Sequence, residues 1–181
     1  MRFEYVPLPP PQDINGMPVY VQNELQRIAR FIGGLSEVHE SGMYLSSAGA
    51  GATMALTTTP TTITAFDTVN SYEEGLIADT TAGTFTFLST SRFKLAFSAS
   101  ISDQGGGSAE HHIGVYLNNT LIQPTHSITF TGSAYTQMSF MIQNTAQAGD
   151  VITLRMSTTS GTDTATFASI DVDVEGKPID I

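Results

Sequence analysis

The sequence predicts an all-β fold, an antiparallel β-sandwich, for most of its 181 residues. Three observations predict it. Apolar and polar residues alternate in run after run, Thr, Ser, Val, Ile and Phe dominate the chain beyond residue 53, and turn-forming residues separate the runs. A chain of this length is enough for one full sandwich and one appendage, and is short for two ordinary domains.

The clearest alternation runs from Arg92 to Ile101. Side chains on a strand point to opposite faces in turn, so every second residue of this run shares a face. The apolar face, which we expect to be core, consists of Phe93, Leu95, Phe97, Ala99 and Ile101. The same period recurs in 113–117, 138–142, 152–156 and 170–174. Shorter runs bring the total to about eight strands, a number that suits a two-sheet sandwich.

Turns and strand edges support this interpretation. Asn118 and Asn119 tolerate positive φ and can close a tight hairpin between "HIGVYL" and "TLIQPT". The only lysines are Lys94 and Lys177, so lysine protects few strand edges. An antiparallel sandwich this poor in charge often hides surface in an oligomer.

The N-terminal segment differs in composition from the rest. Residues 1–18 contain five of the eight prolines, among them Pro9, Pro10 and Pro11, which favours an extended arm of polyproline geometry. Residues 46–53, "SSAGAGAT", are small and predict a flexible linker. The sandwich domain is therefore expected over 54–181.

Between the arm and the linker, residues 19–45 are predicted to form a short helix or stalk. Its apolar residues are spaced four, three, four and three apart, which is a heptad pattern; they are Val21, Leu25, Ile28, Ile32 and Leu35. A helix this short is marginal in water by itself. It would fold back on the domain, self-associate as a trimeric stalk, or dock on a partner. We expect these five residues, with the three consecutive prolines, to serve anchoring and trimerisation.

Charge and cysteine content exclude several classes of function. The chain has 17 acidic and 7 basic residues, a formal net charge of −10, and such a surface repels nucleic acid. There is no cysteine, which excludes disulfides, thiolate metal sites and cysteine nucleophiles. The first residues lack the apolar run of a signal peptide or membrane span, so we expect synthesis in the cytoplasm and no membrane partner.

The histidines offer little for a metal site. His111 and His112 are adjacent, so on a strand they face opposite sides and cannot easily bind one ion within one chain. Three copies of one histidine could converge on a three-fold axis, but surface or interface histidines are the favoured interpretation. His126 shares a face with Ile128 and Phe130 and is expected to be partly buried and hydrogen-bonded.

Acidic residues are also expected to be structural or solvated. Asp171, Asp173 and Glu175 alternate on the exposed face of the last predicted strand, and we expect them to be solvated. Glu73, Glu74 and Asp79 lie near Asp67 and raise the alternative of a calcium loop, but their spacing has no ordered ligand pattern. There is no "G-x-S-x-G" element and no phosphate loop. We therefore expect no enzyme activity, no cofactor and no metal.

The order of several motifs resembles a known family. The runs "ADTTAGTFTFLSTSRFKLAFSASIS", "IGVYLNNTLI", "QAGDVITLRM" and "TFASIDVDVEG" resemble the jelly-roll heads of complement-type and tumour-necrosis-factor-like proteins over roughly residues 63–176. The matching positions are Gly83, Phe85, Phe93, Phe97, Leu117, Asn119, Gly149, Asp150, Val151, Leu154, Phe167 and Ser169. The family usually has a Pro-Gly-x-Tyr element where this chain has Ser89 to Phe93. The resemblance implies a homotrimer of jelly rolls around a three-fold axis, without catalytic activity.

The N-terminal residues carry a second resemblance. "LPPPQD" and "VYVQNELQRIARFI" look like the start of small virion proteins of tailed bacteriophages, in which an arm and a short helix precede a β head. This implies a trimeric capsid decoration (cement) protein, located in the virion and bound to the major capsid protein or another virion protein. The alternative is a receptor-binding head or tail fibre tip that recognises a host surface glycan or protein.

Overall fold

The computed structural model describes residues 39–45, 52–72, 75–103, 109–130 and 134–179, together with Val21, Leu25 and Ile28. The chain divides into two compact units, Met1–Glu37 and Val38–Ile181. In the second unit the described residues form strands and turns only.

Thirteen strands occur in the described part of the chain. They are β1 His39–Tyr44, β2 Ala52–Thr57, β3 Thr61–Thr62, β4 Thr68–Tyr72, β5 Leu76–Asp79, β6 Thr84–Phe87, β7 Ser91–Asp103, β8 Glu110–Leu117, β9 Thr120–Leu121, β10 His126–Thr129, β11 Thr136–Ala146, β12 Val151–Thr158 and β13 Thr162–Pro178. Each pair of neighbouring strands in the described residues is antiparallel.

These strands form two sheets. The first has the order β11-β7-β13-β1-β4, with β2 pairing β13, and the second has the order β10-β8-β12-β6-β5, with β3 pairing β12 and β9 pairing β8. Strand β13 is the longest and pairs with β7 from Ala165↔Asp103 to Pro178↔Ser91, with a register shift between Phe167 and Ser169. The fold is a two-sheet antiparallel sandwich, as the sequence predicts.

The core lies between the two sheets and is apolar and aromatic. On β7 the predicted apolar face from Phe93 to Ile101 is buried, and the largest fully buried side chains of the described residues include Phe85, Phe87, Phe130 and Phe167. The rings of Phe87 and Phe93 lie 5.2 Å apart, which joins a residue of the second sheet to one of the first. Because each sheet contributes one apolar face, the alternation in sequence is sufficient to position this core.

The β domain begins earlier than the sequence predicts. β1 lies inside the stretch 19–45 that was expected to be helix or stalk, and it pairs with β13 on one side and β4 on the other. Its sequence, "HESGMY", has no strong alternation, yet Ser41 and Met43 are fully buried. Pairing with β13 and β4, rather than the strand preference of its own residues, determines the extended conformation of β1. Among the described residues the first strand of this domain therefore starts at His39, before the residue 54 that the sequence predicts.

The predicted helix is described at three positions only. Val21, Leu25 and Ile28 are helical, in agreement with the heptad pattern. Ile32, Leu35 and the prolines Pro9, Pro10 and Pro11 lie outside the described residues, as do 46–51 of the predicted linker; Ala52 and Thr53 belong to β2. Among the described residues, no helix has the length and apolarity needed to cross a membrane.

The predicted hairpin at Asn118-Asn119 is confirmed. The two residues have φ of 48° and 68°, which is the left-handed region that a tight turn between β8 and β9 requires. Asn118 Oδ1 accepts the backbone N–H of Val151 at 2.9 Å, and its Nδ2 donates to Asp150 Oδ1 at 2.6 Å. The turn is thereby joined to the start of β12.

Candidate functional site

Strand β11 forms one edge of the first sheet. It has eleven residues and pairs along its whole length with β7, from Thr136↔Ile101 to Ala146↔Ser91. Within the described ranges β7 is its one partner strand. The N–H and C=O groups on its other side therefore provide a row of hydrogen-bonding groups that another element can use.

Aromatic rings connect this edge to the core and to the second sheet. The ring of Phe140 on β11 stacks on the core ring of Phe97, with centroids 4.8 Å apart and planes at 22°. On its other side it stacks on His126 of β10, the edge strand of the second sheet, at 4.0 Å and 5°. Three rings thus run from the core to the place where the edges of the two sheets meet.

His126 is half-buried, as predicted, but its environment differs from the prediction. Its Nε2 is buried and has no hydrogen-bond partner among the described residues, so stacking on Phe140 holds the ring. The alternation of His126, Ile128 and Phe130 predicts that His126 lies on the apolar face of its strand, but it does not predict which ring stacks on it. Phe140 lies on a different sheet, and only the meeting of β10 and β11 brings the rings together.

Large apolar side chains are exposed at the same edge. Met141 on β11 is 58% exposed and Tyr135, one residue before the strand, is 52% exposed. Beside them is a shallow depression of about 430 Å³, lined by Ala96, Ser98, Ser139, Met141, Asp171 and Asp173 together with Phe97 and Phe140. We call β11, Tyr135 and this depression the edge surface.

Two carboxylates from β13 border the edge surface. Burial raises the pKa of Asp171 above its usual value, and the charge of Asp173 on the same face raises it further, against a backbone hydrogen bond from Val172 that lowers it. Asp171 is opposite Ser98 and Asp173 is opposite Ala96 across the β7–β13 pair. The sequence shows these acids only as alternating residues of the last strand, because the small residues beside them, Ser98 and Ala96, belong to β7.

A second group of polar residues lies inside the domain. Asp103 at the end of β7, His111 on β8 and Asp163 on β13 come together, and we call them the buried triad. His111 Nε2 and Asp163 Oδ2 are 3.2 Å apart, with side-chain exposures of 0% and 6%. Since an ionised carboxylate only accepts, Nε2 carries the hydrogen. The His111 ring also lies 4.7 Å from the ring of Phe130.

The charge of Asp163 is stabilised within the buried triad. Burial by itself raises the pKa of Asp163, but hydrogen bonds from the Asp103 side chain, the Thr164 N–H and His111, with the attraction of His111, outweigh burial and lower it below the usual value. The carboxylate therefore stays ionised although its side chain is only 6% exposed.

The prediction that His111 and His112 lie on opposite faces is correct, but the prediction of a surface or interface position is wrong for His111. His112 is half-buried and its Nδ1 shares a hydrogen bond of 2.9 Å with Ser127 Oγ, whereas His111 is fully buried rather than at a surface or an interface. No local pattern in the sequence indicates that His111 is buried beside two carboxylates, because the residues that meet are far apart in the chain. Asp163 follows Asp103 by many residues, and the β7–β13 pairing brings both to one end of the sandwich.

The calcium alternative finds no support in the described residues. Asp79 Oδ1 accepts the backbone N–H groups of Thr81 and Ala82 at 2.9 and 3.0 Å, so it stabilises the turn after β5. Asp67 accepts the hydroxyl of Thr68 at 2.9 Å. Glu73 and Glu74 lie outside the described residues.

Comparison with known proteins establishes the fold. No protein-family model matches the sequence, and no curated protein does. Among solved structures, the chain is similar to Eiger TNF from S. frugiperda, with 9% identity, a TM-score of 0.54, and coverage of 80% of this chain and 94% of that one. This likeness shows a tumour-necrosis-factor-like jelly roll, which confirms the predicted fold class.

Two further structures give lower scores. The PRD1 vertex protein matches with 14% identity and a TM-score of 0.47, covering 80% of this chain and 100% of its own. The globular domain of zebrafish complement 1qA protein matches with 11% identity and a TM-score of 0.45, covering 77% of this chain and 96% of its own. The assignment of the fold rests on the Eiger structure.

Proposed function

We propose that this chain is a non-enzymatic structural protein of a virus particle, a capsid decoration protein in which a trimeric jelly-roll head is anchored by its N-terminal segment. Its partners are two further copies of the chain and the major capsid protein or another virion protein. The observation that carries the proposal is the exposed apolar stripe of the N-terminal helix.

This stripe requires a partner. Val21, Leu25 and Ile28 lie on one face of the helix at four- and three-residue spacing, and they are 46%, 60% and 36% exposed. Covering an apolar side chain stabilises an association by about 25 cal/mol for each Å² removed from water. A helix that presents such a face is suited to docking in a groove or to joining its own copies.

The head is suited to self-association through the edge surface. Met141 and Tyr135 are exposed beside a row of main-chain groups that have a partner strand on one side. Solvent-exposed apolar residues on an edge strand are a risk of aggregation unless they are covered. A closed three-fold ring covers every copy of the same surface, which supports a homotrimer.

The trimeric state multiplies weak anchoring contacts. Three N-terminal segments on one head bind as a multivalent unit, so that each can be weak while the assembly stays attached. The anchoring role of Pro9, Pro10 and Pro11 remains a prediction. Polyproline geometry would keep each arm extended and reduce the entropy lost on binding.

Deleting residues 2–18 tests the anchoring function. We expect the shortened chain to keep the trimer mass in light scattering coupled to size-exclusion chromatography. We also expect it to be absent from purified particles under conditions in which the full-length chain binds to them. The matched control replaces Pro9, Pro10 and Pro11 by alanine at full length, which keeps the length of the arm but not its stiffness. If the deletion variant still occupies particles fully, the arm is not the anchor.

Copy number separates decoration from receptor binding. Quantitative mass spectrometry of particles should find many copies over the whole shell for a decoration protein, and a few copies at one place for a fibre tip. A low copy number confined to a tail or vertex would replace decoration by recognition of a host glycan or protein.

A further inference from the structure

The buried triad has the composition of a metal site rather than of a simple ion pair. Asp103, His111 and Asp163 each offer one ligand atom, and these atoms lie within 4.8 Å of one another. Asp103 is 1% and His111 is 0% exposed, and the Asp163 side chain is 6% exposed. Three ionisable side chains from three different strands rarely share a dry interior without a compensating charge.

The charges of the three residues leave room for a cation. Two of them are acids, and only His111 can become positive, so full ionisation gives a net charge of −1. Two carboxylates this close repel each other unless they share a proton or bind a cation. Without an ion, the hydrogen bond from Asp103 to Asp163 supplies the shared proton, which a cation would replace. A divalent cation with a neutral imidazole neutralises both carboxylates together.

The distances agree with those of a small transition-metal ion. Ligand atoms about 2.0–2.1 Å from a tetrahedral ion are about 3.3 Å from one another. His111 Nε2 and Asp163 Oδ2 are 3.2 Å apart, and the ligand atoms of all three residues, that of Asp103 included, lie within 4.8 Å of one another. Ser160 Oγ, 3.4 Å from Asp163 Oδ2, is positioned beside the carboxylate.

The orientation of the His111 ring decides which nitrogen can bind the ion. Nε2 lies 3.2 Å from Asp163 Oδ2, so it is the ring nitrogen that faces the carboxylate. A neutral imidazole that binds an ion through Nε2 carries its hydrogen on Nδ1, which is buried and has no hydrogen-bond partner among the residues that the structure describes.

We propose that Asp103, His111 and Asp163 bind one divalent first-row transition-metal ion, of which Zn²⁺ is the best match, inside each chain. A mixed nitrogen and carboxylate ligand set suits zinc better than calcium, which takes oxygen ligands in larger number. The ion ties β7 and β13 of the first sheet to β8 of the second. Its function is structural, and it does not depend on the proposed virion role.

Zinc titration of the full-length chain tests this proposal. The protein is treated with EDTA, dialysed, and titrated with ZnCl₂ in a calorimeter. We expect one ion for each chain and a rise in Tm on binding. One ion for every three chains would indicate a site on a three-fold axis instead, and no saturable binding would overturn the proposal.

The neighbouring histidine provides the matched control. His111→Gln and Asp163→Asn should each weaken zinc binding at least tenfold, whereas His112→Gln, which changes the adjacent residue on the opposite face, should leave it unchanged. Equal losses in His111→Gln and His112→Gln would overturn the assignment.

A spectroscopic measurement on the wild-type chain keeps the test valid where a variant fails to fold. Co²⁺ in a four-coordinate site with a histidine ligand gives strong visible absorption bands, and Zn²⁺ should abolish them by displacement. Weak bands typical of six-coordinate, solvated Co²⁺ would contradict a buried site.

Discussion

Gly83 lies in the turn between β5 and β6, and among the glycines of the described residues it is the one at which an added Cβ atom would meet the closest neighbour. Its φ is +65°, and a Cβ atom there would overlap the backbone carbonyl oxygen of Ile63. Gly149 has φ of +87° but has no atom within 4 Å of its Cβ position. Both glycines therefore adopt a left-handed backbone conformation, but only Gly83 lacks space for a side chain.

Alanine substitution separates these two effects. We expect Gly149→Ala to lower the free energy of unfolding by about 1 kcal/mol, the usual cost of a left-handed conformation. Gly83→Ala should cost at least about 3 kcal/mol, because the Ile63 backbone must also move. Urea denaturation followed by circular dichroism measures both. Similar losses for the two variants would show that the turn around Gly83 relaxes freely.

At the scale of the element, β13 organises the first sheet. It pairs with β7, β1 and β2, and its outer face carries Asp171, Asp173 and Glu175 at two-residue spacing. From the sequence these acids are expected to be solvated. All three side chains are exposed. Ionisation of Asp171 is nevertheless less favourable in the folded chain, because partial burial and the charge of Asp173 raise its pKa.

The pH dependence of stability follows from this shift. Because the folded pKa of Asp171 lies above the unfolded value of 3.8, folding favours its protonated form. The favourable contribution is complete below pH 3.8 and is lost as pH rises through the folded pKa. Asp171→Asn should therefore raise Tm at pH 7, and the difference from wild type should vanish in acid.

Glu175→Gln is the matched control for net charge. It removes one negative charge from the same face of β13. Thermal unfolding at several pH values should show a larger gain for Asp171→Asn than for the control at neutral pH. An equal gain would mean that the overall charge of −10, rather than the local environment of Asp171, sets the effect.

At the scale of the whole molecule, the edge surface should determine the oligomeric state. Met141 is exposed in the single chain, so Met141→Glu removes no core contact, but it would place a charge in an apolar interface. We expect this variant to elute as a monomer with an unchanged circular dichroism spectrum. Loss of a central interface residue typically costs about 2 kcal/mol or more.

Ile77→Glu is the control for this experiment. Ile77 is 48% exposed on β5, at the end of the second sheet opposite to β10. Light scattering should give the mass of three chains for this variant. A wild-type chain that stays monomeric at high concentration would contradict the trimer, and a trimeric Met141→Glu would place the interface elsewhere.

The sequence predicted correctly those parts of the fold that depend on local periodicity. The alternation of Phe93, Leu95 and Phe97 identified the core face of β7, and the two asparagines at 118 and 119 identified the hairpin. Both signals come from backbone geometry over a few residues. The strand β1, which lacks such a signal, was assigned to the wrong class of structure because its partners β13 and β4 decide its conformation.

By itself the sequence determined that this chain is a cysteine-free, acidic β-sandwich with an N-terminal segment of different character, since composition and two-residue alternation act within each strand. Only the tertiary structure decided where the sandwich begins, that His126 stacks on Phe140, and that Asp103, His111 and Asp163 meet. These contacts join residues far apart in the chain. Strand pairing and sheet packing select such contacts, and no local spacing encodes them.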